Sequence, residues 1–212
     1  MAAIDDYPAP EAESGPGVEV YFSVDLETDG PIPGEYSLLS IGACMIGSYD
    51  GTTFIRAHPV PTFYIELRPV QHRFQPEAMA VNQLDRERLR RDGRDPRGAM
   101  EEFADWVRSQ AKGRRPVAVS YPASFDWTWL HWYFVRYLDH NPFGFSGSYD
   151  IKTMFAAKSG HLLTDSVKRL LPLELRSSLP HTHHALDDAL EQAEIFVNLF
   201  NWHPPDPASA PS

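Results

Sequence analysis

Four acidic residues and a histidine carry the groups from which this sequence could build a reactive centre. Asp25 and Glu27 lie two apart in VEVYFSVDLETDG, residues 18–30. That stretch alternates as a strand: Val18, Val20, Phe22, Val24 and Leu26 face one way, and Tyr21, Ser23, Asp25 and Glu27 the other. Strand geometry then brings the two carboxylates out on one face, about 6–7 Å apart at Cα. One cation can bridge them. Without a cation, like charges on a half-buried face raise each other's pKa and cost stability. Taken alone the pair is weak evidence, because exposed strand faces carry such pairs routinely. Asp126 supplies a third carboxylate in SFDWTWL, residues 124–130, in the first turn of a helix, where an aspartate facing the helix dipole is also common.

The fourth carboxylate lies in HTHHALDDAL, residues 181–190. As a helix from about Ala185 onward, Leu186, Leu190, Ala193 and Val197 form one apolar line, widened by Ala189, Phe196 and Phe200. Asp187, Glu191, Glu194 and Asn198 form a solvated line. Asp187 belongs to that line. Asp188 does not: its partners at i+7 and i+11 are Ile195 and Leu199, so it points into packed protein. An inward carboxylate is costly unless a cation or a hydrogen-bond donor meets it. From this stretch alone a capping or salt-bridged aspartate fits as well as a functional one.

Together, inward carboxylates from separate elements suit hard divalent cations, Mg2+ or Mn2+. Two such ions about 3.5–4 Å apart are the usual apparatus for phosphodiester hydrolysis. The attacking water still needs a base near neutral pH, and histidine is the natural choice. His183 precedes the Asp188 helix, whose positive end disfavours imidazolium and helps keep the ring a neutral base. A different reading takes HTHH as a transition-metal site for Zn or Ni. His181 and His183, two apart in an extended entry, converge on an ion only with help from elsewhere.

These residues resemble the motifs of the DEDDh 3′–5′ exonucleases, the superfamily of the bacterial DNA polymerase III proofreading subunit, ribonuclease T and oligoribonuclease. FSVDLETDG resembles the first motif, SFDWTWL the second, and HHALDDA (183–189) matches the third, H-x-A-x-x-D-A, at every fixed position. Order and spacing are similar across roughly residues 18–202. The resemblance implies an RNase H-like fold and release of nucleoside 5′-monophosphates from single-stranded RNA or DNA 3′ ends. It places metal binding on Asp25, Glu27, Asp126 and Asp188, and the general base on His183. It also lays the backbone around Leu26 and Thr28 against the terminal nucleotide, and leaves His181 and His184 as bystanders or as phosphate contacts. One departure is plain: the second motif often reads H-N-A-x-F-D, whereas Tyr121 and Pro122 stand in YPASFD here. Two other readings are a proofreading subunit of a polymerase, and a nucleic-acid-binding module of the same fold without hydrolysis. Four desolvated acids have no physical purpose in the latter.

The elements that must position these groups follow from patterning. Strands are expected over residues 18–30, 37–47, 62–69 and 115–121, with PIPGEY (31–36) joining antiparallel neighbours. A helix is expected from Pro96 to about Gln110, and another after an N-cap at Ser124. A strand or helix entry follows at 149–155, then a short helix from Leu162 to Leu171. This is an α/β domain with a mixed sheet. In the aromatic run Trp127, Trp129, Trp132 and Tyr133, helical spacing favours core, but Trp129 falls off the Leu130, Tyr133, Phe134 stripe and is the candidate to stack on a base.

The chain has 212 residues and net charge −10. Residues 1–17 and 203–212, acidic or rich in Pro and Ala, read as disordered tails. They hold Asp5, Asp6, Glu11, Glu13 and Asp206, half of the −10, so acidity does not exclude a polyanionic partner. The arginines at 86, 88, 90, 91, 94 and 97, and Lys112, Arg114 and Arg115, read as a solvated helix face and loop. A lone cysteine, Cys44, and an N-terminus without leader character point to the cytoplasm, and no stretch reads as membrane-spanning.

Overall fold

The structure, a computed structural model, describes residues 17–204. The two expected tails therefore lie outside the described residues, apart from Gly17, His203 and Pro204. Strand β1 (Glu19–Thr28) forms the centre of a six-stranded mixed sheet. It pairs antiparallel with β2 (Leu38–Tyr49), whose far edge is shared by β3 (Phe54–Arg56) and β4 (Thr62–Glu66), both antiparallel to it. On its other side β1 runs parallel to β5 (Arg115–Ser120), and β5 to β6 (Ser148–Asp150). The alternation read along residues 18–30 holds, and it separates two cores. Val20, Phe22, Val24 and Leu26 face a core completed by α3 (Pro96–Ala111) and α4 (Ala123–Leu138). Tyr21 faces the opposite core, with Cys44, Val119 and the inner face of α6 (Ala185–Asn201).

Several expectations are corrected by packing. Two short helices, α1 (Pro76–Asn82) and α2 (Arg86–Asp92), and strand β3 carry too few apolar residues to announce themselves. Residues 149–155 divide: Asp150 ends β6 and caps α5 (Ile151–Ser159) by accepting from the Lys152 and Thr153 amides. In place of one helix from Leu162 to Leu171 the chain makes separate 3-10 turns, Leu163–Asp165 and Lys168–Leu170. The N-cap of α4 is Pro122, which offers no capping side chain; Ser124 lies inside the helix. The arginine run is not one solvated face. Arg86 is buried on Asp29 (Nε to Oδ2 2.9 Å), and Arg88 pairs with Glu66 at 2.6 Å. No helix among the described residues is long and apolar enough to cross a membrane.

Candidate active site

The site lies where β1 outruns its parallel neighbour. Strand β5 pairs with β1 only from Glu19 to Ser23, and beyond that Ser120 Oγ donates to the Val24 carbonyl at 2.8 Å. From Asp25 to Thr28, β1 keeps its β2 partner on one side. The other side opens at the carboxyl ends of two parallel strands, the usual place for a ligand crevice in such sheets. The start of α4 enters this gap with Asp126, and the start of α6 closes over the face bearing Asp25 and Glu27.

Close approach of α6 depends on one residue of β2. Gly42 lies opposite Asp25 in the β1–β2 register. A Cβ at Gly42 would stand 2.1 Å from the Ala185 carbonyl carbon, so only glycine lets the first turn of α6 rest on the sheet. Ala185 and Ala189 are fully buried at that contact, and the Cys44 thiol donates to the Ala189 carbonyl at 3.7 Å. Asp188 is thereby carried down to the sheet and is buried, 1% exposed, while Asp187 is exposed, as the helix face predicts.

Donor oxygens of Asp25, Glu27 and Asp188 all lie within 4.8 Å of one another. Burial first, and then the Asp188 charge, raises the Asp25 carboxyl to about 7, opposed by Lys168 and by a hydrogen bond from Gln192. Burial, then Asp25 and Asp188, raises Glu27 to about 8. Asp126, 5% exposed, stands outside that trio but is also pushed well above the carboxylate range by burial and by Asp25, with the Leu26 backbone amide opposing. Such a set is unstable as four anions among themselves. Oxygen donors in this density, without an adjacent cation for each, fit hard divalent ions.

Asp188 also builds the loop before its own helix. Its Oδ1 accepts from the Thr182 amide (2.9 Å) and its Oδ2 from the His183 amide (3.0 Å). These bonds hold His183 in a left-handed backbone conformation, φ 58°, uncommon for a residue with a side chain. The His183 ring is left exposed beside the carboxylates. His184 instead stacks on Tyr64, ring centroids 4.5 Å apart.

Three residues that pattern reading passed over complete the surroundings. Gln192 Nε2 donates to Asp25 Oδ1 at 2.5 Å. Glu191, placed on the solvated line by its helical position, is 8% exposed and holds Lys168 at 2.7 Å and His181 Nδ1 at 3.0 Å. Lys168 lies over the Tyr121 ring, 5.9 Å from its centroid, and Tyr121 Oη donates to the Ser166 carbonyl. The residue that departs from the second motif is thus the platform for the segment bearing Lys168. The helical wheel of α6 could not show this, because the lysine arrives from a separate turn 23 residues away.

The remaining expectations sort by burial. Leu26 and Thr28 are buried, the Thr28 hydroxyl donates to the Gly30 carbonyl, and Asn82 Nδ2 donates to the Thr28 carbonyl, so neither of these two side chains is held out toward the gap. Trp129 is a correction. It is 0% exposed, packed with Tyr133 inside the α3–α4 core, and no base can reach it. Leaving a three-residue stripe did not expose it, because α4 is covered on more than one side. Phe125, which precedes Asp126, is 38% exposed.

A family model described as the 3′–5′ exoribonuclease Rv2179c-like domain matches residues 20–200. A protein of Escherichia coli, the 3′–5′ DNA exonuclease Cap18, is 40% identical over 181 residues, covering 84% of this chain and 90% of that protein. Among solved structures, the nuclease domain of 3′hExo, a DEDDh family member bound to rAMP, matches with TM-score 0.66 at 13% identity, over 85% of this chain and 91% of that one. E. coli exonuclease I in complex with a dT13 oligonucleotide matches with TM-score 0.57 at 15% identity, over 86% of this chain and 40% of that one. The fold is that of the RNase H-like DEDDh exonucleases, and the chain belongs to the Rv2179c-like 3′–5′ exonuclease family, acting on nucleic acid.

Proposed function

We propose that this enzyme shortens single-stranded DNA from the 3′ end, with Asp25, Glu27, Asp126 and Asp188 holding two Mg2+ or Mn2+ ions and His183 serving as general base. The observation that carries this reading is the convergence of Asp25, Glu27 and Asp188, their oxygens within 4.8 Å of one another on two elements that Gly42 allows to touch. Bound among these carboxylates, the ions would acidify the attacking water and neutralise charge on the leaving oxygen. An imidazole nitrogen of His183 takes the proton from that water. The water oxygen bonds to phosphorus as the P–O3′ bond breaks, the 3′-oxygen of the shortened strand takes a proton from solvent, and a nucleoside 5′-monophosphate leaves. Gln192 orients Asp25, and Asp188 fixes the loop that presents His183. The terminal nucleotide lies along the main chain of Leu26 and Thr28, with Phe125 in place of Trp129 as the exposed aromatic.

DNA is favoured by the name of the relative at 40% identity; RNA is favoured by the description of the family. We place the work in a reducing cytoplasm; the free, buried thiol of Cys44 is compatible with that. The test uses 5′-labelled single strands of matched DNA and RNA sequence, with Mg2+, Mn2+ or chelator, for wild type and Asp188→Asn. The expected result is a metal-dependent ladder shortening from the 3′ end, faster on DNA and absent in the variant. A faster RNA ladder would reverse the choice of sugar. Cleavage that survives Asp188→Asn or chelation would overturn the mechanism.

A further inference from the structure

We propose that His181, His183 and Asp188 form a second, softer metal site, which takes a transition ion such as Zn2+ and shuts the enzyme down. Donor atoms of the three residues all lie within 4.8 Å of one another. The two imidazoles meet edge to face with centroids 4.5 Å apart, and His181 Nδ1 is 3.1 Å from Asp188 Oδ1. Two histidines spaced i, i+2 in an extended entry would share a face but stand about 6–7 Å apart at Cα. Here the left-handed backbone at His183 turns the chain back, and Asp188 pins the Thr182 and His183 amides, so both rings converge over the carboxylate that holds them. Both histidines are exposed and open to an ion from solvent. Bonds of about 2.0–2.2 Å place the ligands of a tetrahedral ion roughly 3.3 Å apart, a closure that small ring rotations supply.

The donor set decides which ion binds. Two imidazoles and one carboxylate suit Zn, Cu or Ni, and leave the open fourth position of a three-ligand zinc site. The trio of Asp25, Glu27 and Asp188 offers only oxygen and suits Mg2+ or Mn2+. Asp188 belongs to both sets. An ion held by the histidines therefore draws Asp188 away from the carboxylate trio. On the reading of His183 as base, it also blocks the nitrogen that must accept a proton. Zinc then inhibits at concentrations far below those at which Mg2+ or Mn2+ supports the reaction.

The experiment uses untagged, chelator-stripped protein and Co2+ as the spectroscopic probe, for wild type, His181→Gln and Asp25→Asn. The expected result is the visible absorption of a four-coordinate cobalt site in wild type and in Asp25→Asn, and its loss in His181→Gln. Zinc inhibition, taken relative to each protein's own zinc-free Mn2+ rate, should need at least about tenfold more zinc in His181→Gln than in wild type. Bands that persist in His181→Gln, or vanish in Asp25→Asn, place the ion on the carboxylates and overturn the proposal. If cobalt behaves as expected but zinc at saturation leaves the rate unchanged, the claim that this site shuts the enzyme down is overturned, and the assignment of His183 as base falls with it.

Discussion

Helices α4 and α6 begin alike. Each opens on alanine, and each carries at its fourth residue an aspartate turned inward, Asp126 and Asp188. They differ in who holds the helix start. The α4 start is held from outside, because Asp150 Oδ1 at the end of β6 accepts from the Ala123 amide at 3.2 Å. Asp126 is thereby free of capping duty and faces Asp25 and the Leu26 amide. The α6 start is held by its own aspartate, which reaches back to the amides of Thr182 and His183. One carboxylate is only placed in the site, whereas the other also builds the loop that brings the histidine there. In these two similar local sequences, the neighbouring strand decides whether an inward acid only faces the site or also scaffolds the loop beside it.

That comparison can be broken most directly at Asp188. Asp188→Ala should lower the exonuclease rate by about a thousandfold or more, the effect of several kcal/mol of lost charge stabilisation. It should also loosen residues 181–184, seen as faster amide exchange at Thr182 and His183. Asp126→Ala should match it in rate but leave those amides protected. Asp187→Ala should stay within about twofold of wild type, and equal loss at Asp187 and Asp188 would refute the helix-face argument.

Gly42→Ala is next in size. The added methyl meets the first turn of α6 and must push it off the sheet, costing about 1–3 kcal/mol of stability as overpacking does. Because a displacement of about 1 Å costs on the order of a hundredfold in rate, activity should fall further than melting temperature suggests. Asp150→Ala removes the partner of the Ala123 amide at the α4 start and, with it, the N-cap of α5. It should cost about 1 kcal/mol, as loss of a cap does, with a smaller fall in rate, measured by denaturant unfolding and steady-state kinetics on the same preparation.

The remaining effect is on pH. Asp25 and Glu27 are raised from 3.8 and 4.5 to about 7 and about 8, so the folded state binds protons more tightly than the unfolded chain. Their contribution to stability is fully present below about pH 4 and is lost as pH rises through 7 to 8. Chelated protein should therefore lose melting temperature across that window, and Mg2+ or Mn2+ should flatten the slope by occupying the ionised form. A slope unaltered by metal would contradict the assignment of these carboxylates.

Much of the site was legible because it obeys short periods. Period two put Asp25 and Glu27 on one face of β1, and the helical repeat turned Asp188 inward and Asp187 outward. The errors came where a distant segment decides the environment. Glu191 follows the solvated line of α6, yet Lys168 and His181 bury it. Trp129 leaves its stripe, yet α3 and the sheet enclose α4 more widely than one stripe. Gly42 looks like any glycine in a buried strand until α6 is seen resting on it. The short elements α1, α2 and β3 rest on a proline at the first turn, an aspartate cap and an edge pairing rather than on an apolar repeat.

The central claim is that the trio of carboxylates, brought together by α6, is the metal centre. Calorimetric titration of Mn2+ into chelator-stripped protein tests it most directly, comparing wild type with Asp188→Asn at a pH above 8. Wild-type protein should bind two ions per chain, and the variant should lose at least one. Equal binding in both proteins, or none in wild type, would contradict it.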